Sequence, residues 1–169
     1  MQAIVGSVTD SSPAVQAEGG FSSTTVGGSG LATVAGSENG QFVYQTRSGD
    51  GVLTAFVPVA SPAQTGARYA VMIRETTAGG ALMAGTSTSS STGEGTKMVS
   101  RAVSGNSSFI GGVTAQVAPR WIRITRAGNS FTSESSGDGV NWNTHGTVSV
   151  AMSSTAQWGL FHHSDDRSG

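Results

Sequence analysis

Two of the three tryptophans lie in one stretch, RWIRITRAGNSFTSESSGDGVNWNTHG, residues 120–146. A flat, exposed indole stacks on a sugar ring while flanking polar groups take its hydroxyls. Side chains alternate along a strand, so WIRITR places Trp121, Arg123 and Thr125 on one face and Ile122 and Ile124 on the other. Trp121 with Arg123 is therefore the leading candidate for a binding surface. The competing role for Trp121 is to cover the sheet with its N–H bonded to a loop. Trp158 opens the last apolar run, AQWGLFHH, and is a further candidate to face a concave sheet beside Arg74 or His162.

Catalysis has less to work with. Glycoside hydrolysis needs two carboxylates about 5–10 Å apart. Of the ten acids, Glu134 stands alone on its predicted strand and Asp138 falls in a turn. No predicted strand carries two carboxylates at i, i+2, and Glu75 has Arg74 beside it but no acidic partner. A nucleophilic serine has no Gly-x-Ser-x-Gly elbow and no helix to supply one. The absence of cysteine excludes disulfides, thiolate metal sites and a cysteine nucleophile. His162 and His163 are adjacent and point to opposite strand faces, which does not suit one shared ion. Asp165 and Asp166 follow them in what reads as a solvated polar tail. The expectation is a protein without catalytic residues, metal or other cofactor.

The elements that must position these side chains are strands. Only 11% of the 169 residues are charged, well below the usual quarter, and Gly, Ser and Thr take their place. Disorder requires low hydrophobicity together with high charge, whereas 36% of this chain is hydrophobic and its β-branched residues recur in short runs. No segment shows a helical apolar stripe. Alternating runs between Gly-rich breaks predict strands in GQFVYQTR, VLTAFVPVA, RYAVMIRE, ALMAGTSTS, KMVSRAV, WIRITR, SFTSESS, TVSVAM and AQWGLFHH. Phe42 and Tyr44 share one face; Leu53, Ala55, Val57 and Val59 share another. Pro58, lacking an N–H, marks a strand end or an edge. RYAVMIRE is apolar on both faces, which predicts a central strand. SGDG at 48–51, AGN at 127–129 and GDG at 137–139 are turns, and SSSTGEGT is expected to be a polar, flexible loop.

Net charge is −1, and the nine Lys and Arg are scattered, which argues against nucleic acid as the main partner. No apolar run approaches the roughly 20 residues of a membrane span, so membrane insertion is not expected. MQAIVGSVTD lacks the basic start and apolar core of a signal peptide; either a signal was removed before it or none was used.

The order of motifs resembles the concanavalin A-like lectin/glucanase (laminin G-like) jelly-roll domains of bacterial secreted proteins. The matching elements are QFVYQTRSGDGVLTAFV at 41–57, ARYAVMIRE at 67–75, APRWIRITRAGNSFTSESSGDGVNWNTHGTVSVAM at 118–152 and WGLF at 158–161. The resemblance implies an all-β fold, a two-sheet antiparallel jelly-roll sandwich, built as a single domain over residues 1–169. It implies a structural place for Trp142, packed back over the hairpin. Lectins of this fold sometimes bind calcium through loop oxygens, but no clear motif for it stands here. Members usually continue beyond the G-L strand into a closing strand, and this chain stops at SDDRSG. A closing strand trimmed away, supplied by the N-terminal segment or donated by another molecule would each account for that.

Two functions follow as expectations. The first is a non-catalytic, extracellular module that holds a polysaccharide or surface glycan on a concave sheet, through Trp121, Arg123, Arg74, Trp158 and His162. The second is a structural subunit of a filament, surface layer or virion that binds copies of itself by strand complementation.

Overall fold

The computed structural model describes residues 2–5, 10–11, 15–17, 20–22, 25–26, 40–58, 67–106 and 109–163. Val59, Asp165 and Asp166, included in the readings above, lie outside the described residues. Among the described residues every regular element is a strand. Five short strands come first: β1 (Gln2–Val5), β2 (Asp10–Ser11), β3 (Val15–Ala17), β4 (Gly20–Ser22) and β5 (Thr25–Val26). Then follow β6 (Gly40–Ser48), β7 (Gly51–Val57), β8 (Arg68–Arg74), β9 (Met83–Thr88) and β10 (Thr96–Arg101). The last are β11 (Phe109–Thr114), β12 (Arg120–Ala127), β13 (Ser130–Ser136), β14 (Asn143–Ser149) and β15 (Thr155–His163).

They form two main antiparallel sheets. The larger has the order β1-β6-β15-β8-β9-β10-β11 and the smaller β14-β13-β12-β7. The fold is thus an all-β two-sheet sandwich. The turn at Ser48–Gly51 carries the chain from one sheet to the other, since β6 pairs with β15 and β7 with β12. β8 is central, between β15 and β9, as its apolar faces require. β7 is an edge strand and ends at Val57, immediately before Pro58. Of the three sources considered for a strand completing the sheet, the chain's own N-terminal segment stands at the edge: β1 pairs with β6 in the register Gln2↔Val43 to Val5↔Gly40.

The core fills the gap between the sheets. Leu53, Ala55 and Val57 of β7, Ile122 and Ile124 of β12, and Phe131 of β13 meet Val71, Ile73, Ala84, Trp158 and Leu160 of the larger sheet. Burying each large apolar side chain contributes about 1.5–3 kcal/mol. A polar tie from Thr86 crosses this gap. The Thr86 hydroxyl donates to the Arg123 carbonyl at 2.6 Å and shares a 2.7 Å hydrogen bond with the Ser133 hydroxyl.

A second cluster, Phe42, Tyr44, Ala70, Met72, Met83, Val99 and Phe161, is buried on the opposite face of the larger sheet. Buried arginines border it. Arg74 gives its guanidinium to the carbonyls of Thr76 and Ala78, and Arg101 bonds the carbonyls of Ala81 and Asn106. The larger sheet is therefore covered on both sides, and the smaller sheet on one.

The 89–95 segment, expected as a flexible loop, is a hydrogen-bonded turn. Ser91 N–H donates to Ser89 Oγ, and both Glu94 N–H and Gly95 N–H donate to the Ser91 carbonyl. Glu94 then receives Arg68 and, at 2.9 Å, Lys97. Polar composition signalled a loop, and the Ser89 hydroxyl and the Ser91 carbonyl hold it as a turn.

Candidate functional site

The uncovered face of the smaller sheet is built by strand pairing. The Gly128–Asn129 turn sets the register of β12 on β13, so Arg123 lies opposite Glu134 and Trp121 opposite Ser136. On its other side β12 pairs with β7, which sets Phe56 opposite Trp121 and Thr54 opposite Arg123. Glu134 in turn lies opposite Thr144 of β14. Because Ile122 and Ile124 are drawn into the core, their neighbours must face outward.

Two aromatic groups result. At one end the Phe56 and Trp121 rings are 5.2 Å apart and tilted by 52°. Phe56 is 47% exposed, unusual for a phenylalanine on a folded surface. Beside them Arg123 holds Glu134 with both arms of its fork, Nε to Oε2 at 2.6 Å and Nη2 to Oε1 at 3.0 Å. The same guanidinium lies over the Trp142 ring, 3.9 Å from its centroid. The fork fixes the guanidinium plane, and the plane fixes the indole.

The turn at 137–139 closes the end of this face over Trp121. Gly139 has φ +77°, and a Cβ there would lie 3.1 Å from Trp121 Nε1. Only glycine allows both the backbone angle and the approach. Asp138 holds the turn: Oδ1 accepts the N–H groups of Val140 and Asn141 and bonds Ser136 Oγ, while Oδ2 accepts the Asn141 side-chain amide. Hydrogen bonds from the Asn141 backbone and side chain, then from Val140 and Ser136, hold its carboxyl far below the usual carboxylate range, so it stays ionised.

The five residues expected on one concave sheet do not share a surface. Trp121 and Arg123 stand together on the outer face of the smaller sheet. Trp158 is only 4% exposed and belongs to the core between the sheets, where Arg47 lies 5.5 Å over its ring. His162, on the same face of β15 as Trp158, stacks on Tyr69 with the rings 4.8 Å apart and nearly parallel. Arg74 is fully buried on the opposite face of that sheet. His163 points to that opposite face, toward Phe161, so the two histidines are separated as their adjacency predicts.

Three residues of the outer face were not expected there. Phe56 was legible: with Leu53, Ala55 and Val57 facing in, an aromatic was left facing out. Glu134 was read as a lone carboxylate, although a two-residue turn between Ala127 and Ser130 places it opposite Arg123. Trp142, expected to be structural, does pack on the hairpin, and it does so through Arg123.

Among the described residues no group of three or more His, Cys, Asp or Glu is placed to hold a metal ion. No protein-family model matches the chain, and no curated protein matches it significantly.

Proposed function

We propose that the chain is a non-catalytic binding module of an extracellular protein, holding a polysaccharide or surface glycan on the outer face of its smaller sheet. One observation carries this reading. Phe56 (47% exposed), Trp121 and an Arg123-backed Trp142 stand together on the outer face of the smaller sheet. Aromatic planes edged by Thr54 and Thr144 match the alternating apolar faces and hydroxyls of a sugar chain. The resemblance to concanavalin A-like domains supports the same role. A hydrolytic role is disfavoured because both oxygens of Glu134 are engaged by Arg123. Affinity electrophoresis through polysaccharide-containing gels tests the proposal. Trp121→Ala and Phe56→Ala should lose retention while keeping the far-ultraviolet spectrum of the native sheet. Unchanged retention in both variants would rule this face out.

The second reading, a structural subunit, is favoured by β1. It forms the edge of the larger sheet beside β6. An edge strand offered instead to a neighbour would link copies without new chemistry. Light scattering on the full chain and on a variant lacking residues 1–10 tests it. Assembly that survives the deletion eliminates strand exchange.

A further inference from the structure

We infer that the glycan held on this face is uncharged. The inference rests on the binding role proposed above and adds the chemical class of the ligand. Acidic sugars are recognised by cations with free donors, most often an arginine fork. The arginine on this face gives that fork to Glu134 and its π-face contact to Trp142. The other nearby arginines are turned elsewhere. Arg120 bonds Gln116 and Ser135, and Arg126 bonds the carbonyls of Gly128, Met152 and Ser153.

The balance of charge points the same way. Arg123 and Glu134 cancel, and Asp138 adds an ionised carboxylate in the turn that covers Trp121. A uronate or sulfate arriving here would meet net negative charge and an arginine whose Nε–Nη2 edge is already taken by Glu134. A cationic sugar would meet carboxylates already engaged, Glu134 by the Arg123 fork and Asp138 by Val140, Asn141 and Ser136. A neutral sugar needs neither. It stacks on Phe56, Trp121 or Trp142 and exchanges hydroxyl bonds with Thr54 and Thr144.

The test compares the full chain in gels of neutral polysaccharides (xyloglucan, galactomannan, a soluble β-glucan), acidic ones (polygalacturonate, alginate) and cationic glycol chitosan. The expected result is retention by a neutral gel alone, changing by less than about twofold between low and high salt. Glu134→Gln frees the Arg123 fork, and Asp138→Asn removes the turn's charge while keeping an acceptor oxygen. Each should raise retention by polygalacturonate about fivefold. Retention of the native chain by an acidic or cationic gel, weakening with salt, overturns the inference and leaves glycan binding standing. So does the absence of any gain in both variants. Retention by none of the gels defeats the binding role itself, and the inference with it.

Discussion

Arg123 lies over Trp142, its guanidinium carbon 3.9 Å from the ring centroid, while Glu134 grips its fork from the neighbouring strand. Three residues from β12, β13 and the segment before β14 thus form one unit. Arg123→Ala should release the indole and leave a partly buried carboxylate alone. The expected cost is about 1–2 kcal/mol of stability, the sum of a partly buried ion pair and a cation–π contact. Arg123→Lys keeps the charge and loses the planar stack, so it should recover only part of that. Urea midpoints of the two variants measure both values, and a Lys variant as stable as the native chain would show that the stack contributes nothing.

Thr86 carries the polar tie through the core. Thr86→Val keeps the shape and removes the hydroxyl, leaving the Arg123 carbonyl and Ser133 Oγ without that partner. A loss of about 1–3 kcal/mol is expected in chemical denaturation. A variant as stable as the native chain would mean that both groups find other partners.

Gly112 marks where the sandwich closes along one side. Its φ is +60°, and a Cβ there would lie 1.7 Å from the His145 carbonyl oxygen, so β11 and β14 approach backbone to backbone. His145 Nδ1 also bonds the Gly112 carbonyl at 3.1 Å. Gly112→Ala should therefore destabilise by more than about 3 kcal/mol. Gly49→Ala, at φ +84° but with open space around it, should cost only about 1 kcal/mol. Thermal melts of the pair separate steric closure from backbone preference.

Acid should weaken the fold in a defined window. Burial pushes the His162 imidazole down to about 4 from its ordinary 6.5. His145 is lowered too, first by burial and then by the charge of Arg120, against the opposing pull of the Gly112 carbonyl and Glu134. The unfolded chain takes up these protons near pH 6.5 and the folded chain only well below it, so the unfolded state binds more protons in between. The contribution to stability is complete above pH 6.5 and is lost as pH falls toward about 4. Glu94 adds a loss at lower pH: burial raises its carboxyl, but the Lys97 hydrogen bond and the Arg68 charge outweigh burial and lower it. Urea midpoints at pH 7.5, 5.5 and 4.5 should fall by a total equivalent to about 1–3 kcal/mol. His162→Phe, which keeps a ring on Tyr69, should shrink the fall. A flat profile in the native chain would contradict the burial of both histidines.

Within a strand, the sequence was a reliable guide. The alternation in WIRITR placed Ile122 and Ile124 in the core and Trp121 and Arg123 outside it, and the structure agrees. The same alternation could not place Trp158, Arg74 or His162. Period 2 sorts side chains onto two faces but does not say whether a face is covered. The larger sheet is covered on both, so an arginine that looked available is buried among Phe42, Met72 and Met83, and a histidine that looked available is half-buried against Tyr69.

Amino-acid order by itself determined the strand class, the turns at 48–51 and 127–129, the central place of RYAVMIR and the parity of every side chain along β12. These are local properties, set by pleat geometry and by the few residues that tolerate a tight turn. Tertiary structure decided which sheet each strand joins, that β1 stands beside β6, and that Phe56, Trp121, Arg123, Glu134 and Trp142 share one open face. Those residues span more than eighty positions of the chain. Only the burial of apolar faces from distant strands against one another brings them together, and that energy depends on the whole sandwich rather than on any segment.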